Sequence, residues 1–315
     1  MKALHFSAYG PPSALTLKEI PRPELRKGEV LVQVKAAAVN PSDVKNVAGL
    51  FNSALPRVPG RDYAGVVIGG DAQKGLEVWG SGAGFGVVRD GAHSKYIVMP
   101  ADWISEKPSK LSMEQAAAIG VPYITAWISI VRAGNLQPGE TVLIIGASGA
   151  VGRAATQVAH WKGARVIGAD TNPANLSRVD VLLSAAVQDL GQEVRALTGG
   201  KGADVVLDAV GGKMFEPALK SLAPGGRQIA ISGTKERRVS FDLIDFYHNR
   251  SRLIGVDSVK LTGPEIAEFM NTLRVGFQEG FLSAPPVKTW PLERAVEAYE
   301  AVEKGGSPAK QILIP

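Results

Sequence analysis

The sequence predicts an α/β protein of two domains, one rich in short β-strands and one built on a doubly wound parallel sheet. Three observations carry this. The 315 residues exceed what one ordinary core organises. From Met1 to about Ile104, short apolar runs alternate with Pro and Gly, as in Val30 to Val34, Gly65 to Ile68 and Tyr96 to Met99, and ten-residue helical patterns are nearly missing. After Ser112 the pattern changes to strands and helices in alternation, with nearly continuous apolar strands, which is the pattern of a parallel sheet covered on both faces.

In the first part the runs read as an antiparallel, partly closed β-domain that starts with a strand near Met1 to Phe6. In the second part Thr141 to Ile145 is a buried strand. A glycine turn follows it, and Ala150 to Trp161 then places Val151, Ala154, Ala155, Val158 and Ala159 at helical spacing. Further buried strands are expected at Arg165 to Ala169, Val205 to Ala209, Gln228 to Ser232 and Leu253 to Val256. Helices around Pro264 to Gln278 and Leu292 to Lys304 and a last strand Gln311 to Ile314 are expected to rejoin the first domain.

Composition narrows the function classes. Hydrophobic residues make up 45% and charged residues 21%, as in an ordinary globular enzyme, and the net charge of +5 is spread without blocks of like sign, so nucleic-acid binding is not expected. There is no cysteine, which removes disulfides, thiolate catalysis and every cysteine-based metal site and fits a cytoplasmic location. The N-terminus lacks the long apolar core of a signal peptide. The longest uncharged stretch, Gln115 to Val131, is shorter than the roughly 20 residues of a membrane span and contains Pro122, so no membrane association is expected.

The motif with chemical content is Gly146-Ala147-Ser148-Gly149-Ala150-Val151-Gly152, between a predicted strand and a predicted helix. Small residues let the backbone turn sharply and approach a pyrophosphate, and the last glycine lets helix and strand pack closely. The anion then meets the free amides and dipole of the helix N-terminus. The spacing is G-x-x-G-x-x-G and is weak evidence alone. Asp170, ending the next strand, lies close to the offset of about 20 residues expected for a carboxylate that binds ribose hydroxyls. Other patterns fail on spacing. Gly80 to Gly86 has no strand-to-helix context, Gly199-Gly200-Lys201-Gly202 lacks the Ser or Thr of a P-loop, and Ser148 does not sit in a nucleophile elbow. The four histidines, His5, His93, His160 and His248, show no metal-ligand spacing and read as surface or satisfied core residues.

Taken together, Ala38-Val39-Asn40-Pro41-Ser42-Asp43, Pro59-Gly60-Arg61-Asp62-Tyr63-Ala64-Gly65-Val66-Val67, the Gly146 turn and Val206-Leu207-Asp208-Ala209-Val210-Gly211-Gly212 resemble the medium-chain dehydrogenase/reductase superfamily. Within it, the chain resembles the zinc-free quinone oxidoreductase (zeta-crystallin-like) branch. The resemblance implies a GroES-like β-domain over 1–122 and 266–315, a Rossmann domain over 123–265 and an active site in the cleft between them. Zinc-binding relatives carry a Cys, a His-Glu pair and a second Cys where this chain has Asn40, Arg61-Asp62 and Val121, so no metal is expected.

Without a Lewis acid a simple alcohol has no means of ionising at neutral pH. Quinones and α,β-unsaturated carbonyls delocalise the charge that an arriving hydride brings, so NAD(P)H-dependent reduction of one of these is the expected activity. An enoyl or alkenal reductase of the same superfamily, or a non-catalytic, crystallin-like dinucleotide-binding protein, are the alternatives.

The resemblance implies Asn40 and Thr125 near the nicotinamide, Val210 and Gly211 at the cofactor, and Ser232, Gly233 and Thr234 at a strand end lining the same cleft. Asp43 and Arg61 read either as a structural ion pair or as catalytic groups, with Arg61 offering positive potential to an enolate. Lys45 is either a proton donor or a solvent-facing lysine. Tyr123 and Trp127 either stack near the ligands or pack between domains. Asp170 favours NADH narrowly, because it accepts bonds from an adenosine diol and repels a 2′-phosphate, whereas the family resemblance favours NADPH. The stretch from Asp170 to Gly202 is shorter than usual in that family. The resemblance, with the prevalence of two-fold dimers, also implies a homodimer formed at an edge strand near Leu253 to Val256.

Overall fold

Val30, Val32 and Val34 alternate along β3 (Glu29–Ala38) and turn one face of that strand into a core with Tyr63, Val67, Val78, Phe85, Ile97 and Met99. β3 is preceded by a small antiparallel pair, β1 (Lys2–His5) and β2 (Thr16–Glu19). It is followed by α1 (Pro41–Val47), whose first turn is closed by a capping box between Asn40 and Asp43. β4 (Asp62–Gly70) and β6 (Tyr96–Pro100) both pair antiparallel with β3. β5 (Glu77–Gly80) extends the sheet from β4, and β7 (Ser105–Glu106) extends it from β5.

The chain, a computed structural model, is described here over residues 1–171, 178–233 and 236–315. It divides into two compact units, Met1–Val121 with Val259–Pro315 and Pro122–Ser258. α2 (Met113–Ala117) begins with Ser112 as a side-chain cap, and α3 (Gly120–Ala126) runs on into a π-helical stretch, Trp127–Ala133.

The second unit is organised by a six-stranded sheet. Its strands are β8 (Thr141–Ile145), β9 (Arg165–Asp170), β10 (Val181–Ser184), β11 (Ala203–Asp208), β12 (Leu222–Ala230) and β13 (Arg252–Gly255). They lie in the order β10-β9-β8-β11-β12-β13, and every neighbouring pair is parallel. Alternation along the strands sends Leu143, Ile145, Ile167 and Val206 to the face covered by α5 (Leu190–Leu197) and α6 (Phe215–Lys220). α4 (Ala150–Trp161) packs on β8 and β9. The order reverses between β8 and β11, and in doubly wound sheets a ligand lodges at the carboxyl ends of the strands at such a switch point. β13 is an edge strand with Leu253 42% exposed, and α7 (Leu243–His248) leaves Leu243, Ile244 and Tyr247 largely exposed.

The chain returns to the first unit through α8 (Gly263–Glu279), β14 (Val287–Pro291), α9 (Ala295–Lys304) and β15 (Lys310–Ile314). β15 joins the first sheet beside β3, pairing Ile312 with Ala38 and Leu313 with Ala37. The expected return of the C-terminal segment is therefore a strand insertion. The α/β class with a doubly wound parallel sheet is what the chain forms.

One side chain ties the entry of β8 to its neighbours. Arg227 on β12 donates from Nε to Gly134 O at 2.5 Å, from Nη1 to Glu140 Oε1 and Asp204 O, and from Nη2 to Asn135 O and Glu140 Oε2. All five donors of the guanidinium fork are used, which lysine cannot reproduce. Arg227→Met leaves the Glu140 carboxylate and three carbonyls short of donors, and is expected to lower unfolding free energy by about 3 kcal/mol in urea titration. Arg227→Lys is expected to recover less than half of that loss.

Candidate active site

The glycine turn is built by the strand before it and the helix after it. Gly146 has φ +80°, a left-handed conformation, and its amide and that of Ala147 donate to Ala169 O at 2.9 and 3.3 Å. Gly149 caps α4, and the bond from Arg153 N to Gly149 O, at 2.9 Å, closes its first turn. The amides of Ala150, Val151 and Gly152 lie in that first turn, where a helix offers no acceptor of its own. A Cβ on Gly152 would stand 2.3 Å from Gly146 O and 2.6 Å from Ala147 Cα, so the turn requires glycine there. These are the features that a pyrophosphate needs, and the turn fits a dinucleotide.

The other residues expected at the cofactor gather at adjacent strand ends. Val210 Cγ2 would be 3.1 Å from a Cβ on Gly146. Gly211 lies close enough to the segment after β12 that its own Cβ would be 2.7 Å from Ser232 O and 3.1 Å from Gly233 Cα. The Asp208 carboxylate holds this loop by accepting from Val210 N and Gly211 N at 3.0 and 2.8 Å. Asp170 ends β9 and accepts from both the amide and the hydroxyl of Ser148, at 3.1 and 2.7 Å. Thr234 lies outside the described residues. Thr125 on α3 is 7% exposed, and its hydroxyl has no hydrogen-bond partner among the described residues. Tyr123 OH accepts from Gln157 at 2.9 Å, and burial pushes its phenol pKa up. Trp127 packs on Trp161, with ring centroids 5.4 Å apart and the Lys162 ammonium over its face. Trp161 ends α4, at the opposite end of the helix from the glycine turn.

The first unit holds a buried polar cluster centred on Asp62. This fully buried carboxylate accepts from Asn40 Nδ2 at 2.9 Å, from Ser81 Oγ at 2.5 Å, and from Val121 N at 3.0 and 3.1 Å. A Cβ on Gly120 would be 2.3 Å from Asp62 Oδ1, so a glycine is needed to bring the Val121 amide in. The carbonyl end of Asn40 accepts from Lys310 Nζ. The Asn40 amide is thereby oriented at both ends, with oxygen toward the ammonium and nitrogen toward the carboxylate. Asp43 accepts from Asn40 N at 2.8 Å, and Arg61 Nη1 stands 3.4 Å from Ser42 Oγ. Asp43 and Arg61 are almost wholly buried, whereas Lys45 is exposed on α1.

Charge is tightly balanced there. Burial, and then the charge of Asp62, push the Asp43 carboxyl up to about 6, while Arg61, the Asn40 amide and Lys310 pull the other way. Burial lowers the Lys310 ammonium, against the raising effect of Asp62 and Asp43, and Arg61 lowers it further. Behind the cluster, burial pushes His93 down to about 4 and keeps it neutral. Its Nε2 therefore donates to Ala38 O at 3.1 Å, and its Nδ1 accepts from Tyr299 OH at 2.8 Å.

Comparison with known proteins matches both units. The alcohol dehydrogenase GroES-like domain model matches residues 26–109, and the zinc-binding dehydrogenase model matches residues 150–274. A zinc-type alcohol dehydrogenase-like protein of Schizosaccharomyces pombe is 33% identical over 288 residues, covering 89% of this chain and 86% of its own. The chain belongs to the medium-chain dehydrogenase/reductase superfamily. The human quinone oxidoreductase is 29% identical over 330 residues, covering 100% of this chain and 98% of its own. A solved structure of an NAD-dependent alcohol dehydrogenase superposes with a TM-score of 0.90 at 31% identity over the whole of both chains. A GroES-like domain followed by a Rossmann-like one is thus the architecture, and membership makes the protein an oxidoreductase that uses a nicotinamide dinucleotide.

The zinc of many superfamily members does not fit this site. Of the positions aligned with zinc ligands, Asn40 is held at both ends, Arg61 is a cation and Val121 offers only its amide. Asp62 already accepts from three groups. No group of three or more His, Asp or Glu side chains suited to a metal occurs among the described residues. The sequence reading passed over Lys310, Ser81 and the His93–Tyr299 pair. Lys310 reaches Asn40 across 270 residues, and only its place at the start of a terminal apolar strand pointed toward the first sheet.

Asp43 gives a pH signature whose sign follows from its direction. A carboxyl near 6 when folded and 3.8 when unfolded makes ionisation cost stability, so its contribution is full below 3.8 and is lost as pH rises through about 6. Asp43→Asn keeps an oxygen for the Asn40 amide and removes the charge. Urea titrations are expected to show the variant about 2 kcal/mol more stable than the parent at pH 7.5, with the gap closing toward pH 4.

Proposed function

We propose that the protein is a zinc-independent, NAD(P)H-dependent reductase of quinones or α,β-unsaturated carbonyls. The observation that carries this reading is the Asn40–Asp62–Val121 set, hydrogen-bonded within itself where zinc relatives place their ligands and flanked by Arg61 and Lys310. A site with no Lewis acid and two cations suits an acceptor whose reduction leaves a delocalised oxyanion. When bound, the reduced nicotinamide supplies the hydride.

The chain's own residues then have separable tasks. The Gly146–Gly152 turn binds the pyrophosphate, and Val210, Gly211, Ser232 and Gly233 line the strand ends beside it. Thr125 is a hydroxyl in want of a partner, which suits a polar group of the nicotinamide end. Asn40 is oriented by Asp62 and Lys310, and Arg61 and Lys310 provide positive potential to the enolate or quinol oxygen. Asp43 fixes the backbone of Asn40. Lys45, exposed on α1, has no part in this reading. Asp170 favours NADH, through the diol of the adenosine ribose. Names among relatives support both acceptor classes: quinone oxidoreductase for the human protein, and enoyl reductase for a solved structure at 25% identity and TM-score 0.84. A non-catalytic binding role is the outcome that lack of turnover would favour.

The deciding experiment is paired NADH and NADPH oxidation by EDTA-treated protein across quinones, 2-alkenals and enoyl thioesters. Turnover of a quinone or enone without metal is expected, and cofactor binding with no turnover of any acceptor would sink the proposal. Lys310→Met is expected to lower kcat on the best acceptor by roughly 100-fold while the Kd for the reduced cofactor stays within about twofold. We further propose a homodimer joined along β13, whose Leu253 is exposed and whose outer edge pairs with no strand among the described residues. A two-chain mass by light scattering is expected at micromolar protein. Leu253→Lys is expected to shift it toward one chain.

A further inference from the structure

We infer that His93 is a positioning residue for the reaction centre. Through the Ala38 carbonyl it fixes the last rung of the β3–β4 ladder, from which the Asn40 side chain reaches Asp62. The inference rests on the reading that Asn40 belongs to the site of hydride transfer. What it adds is the group that sets where Asn40 stands.

His93 is fully buried, yet no step of the proposed reaction uses it. Its ring is held at both nitrogens. A carbonyl oxygen only accepts, so Nε2 carries the proton and donates to Ala38 O at 3.1 Å, while Nδ1 accepts from Tyr299 OH at 2.8 Å. The Tyr299 ring on α9 stands edge-on to the imidazole, with centroids 5.6 Å apart and planes at 85°. The main chain is tied as firmly. His93 N donates to Pro59 O and Ala92 N to Gly60 O, each at 3.0 Å, and His93 O accepts from Leu4 N at 2.8 Å. The imidazole also lies against Gly60, where an added Cβ would be 2.4 Å from His93 Cδ2.

These contacts bracket the central pair. Ala38 ends β3, Asp62 starts β4, and the two are register partners in the last rung of the ladder. Asn40 lies two residues beyond that rung, and Gly60 lies two residues before Asp62. One imidazole therefore touches both segments that the Asn40 Nδ2–Asp62 Oδ2 bond of 2.9 Å joins. A shift of the Ala38 peptide carries Asn40 with it, and misplacing a positioning group by about 1 Å costs on the order of 100-fold in rate. His93 works at one remove from the chemistry. Burial pushes its pKa down to about 4, so it stays neutral and exchanges no proton with the reaction near neutral pH.

Two substitutions separate the two bonds of the ring. Glutamine places its Nε2 where the imidazole Nε2 stands and keeps a donor for Ala38 O. Asparagine places its Oδ1 where Nδ1 stands and keeps an acceptor for Tyr299 OH. In steady-state kinetics on the parent's best acceptor, His93→Asn is expected to lower kcat about tenfold with the Kd for reduced cofactor within about twofold. His93→Gln is expected to keep kcat within about threefold of the parent. The side-chain amide resonances of Asn40, assigned by their absence in Asn40→Ala, report its placement without any turnover. They are expected to keep the parent's frequencies in His93→Gln and to move in His93→Asn. His93→Phe, a ring with no donor, is expected to match His93→Asn and replaces it if that variant does not fold. Equal loss of kcat in the Gln and Asn variants would mean that the imidazole only fills space, and would overturn the inference. Parental kcat with unmoved Asn40 resonances in His93→Asn would do the same. A parent that turns over no acceptor defeats the functional reading instead, and the resonances then still decide whether His93 places Asn40.

Discussion

The Asp62 carboxylate is the constraint from which the first unit's polar site is organised. A fully buried carboxylate is tolerated only when its lone pairs are met, and here Asn40, Ser81 and Val121 meet them from three separate segments. Each donor carries a further requirement. The Asn40 amide must be turned with its nitrogen toward Asp62, which aims its oxygen at Lys310. The Val121 amide must approach closely, which demands Gly120. The position of one anion thus dictates the orientation of an amide, the identity of a glycine and the partner of a lysine on the last strand.

In the proposed function, the same anion accounts for a site that works without a metal ion. Asp43 and Asp62 lie near one another, and two buried carboxylates repel unless cations are close. Arg61 and Lys310 supply that charge as fixed organic groups in place of an ion. The exchange alters what the site can do. A zinc ion lowers the pKa of a bound alcohol or water, whereas guanidinium and ammonium groups stabilise an oxyanion once it has formed. Reduction of an acceptor that delocalises charge asks only for the latter. Under the proposed function, the charge balance of the cluster bears on the reaction as well as on folding.

Much of the second unit was legible in the sequence because its signals are local. Thr141–Ile145 and Ala150–Trp161 have the bounds that apolar runs and helical spacing indicate, and small residues mark the turn between them. β10 was missed, since Val181–Ser184 is four residues long and only Leu183 of it is buried. The π-helical stretch after α3 was also missed, because its apolar residues suit a buried α-helix equally well. The four histidines show no metal-ligand spacing, and nothing local in the sequence shows that His93 is wholly buried against Tyr299. The polar cluster was half legible. Asn40, Asp43 and Arg61 sit in motifs that resemblance identifies, whereas Ser81 and Lys310 join them only through strand pairing, and no spacing rule connects residues 40 and 310.

That contrast has a physical source. The Gly146–Gly152 turn is a backbone device, so its requirements appear as glycines at fixed offsets: Gly146 for its positive φ and Gly152 for close approach. The polar cluster is a side-chain device, whose parts need only converge in space. β15 brings Lys310 to Asn40 because Ile312 and Leu313 pair with Ala38 and Ala37 at the end of β3, two residues before Asn40. The apolar pairing that completes the first sheet therefore also delivers the cation that balances its buried acids. Core packing and site electrostatics here depend on one strand, and a change that weakened the β15–β3 pairing would disturb both together.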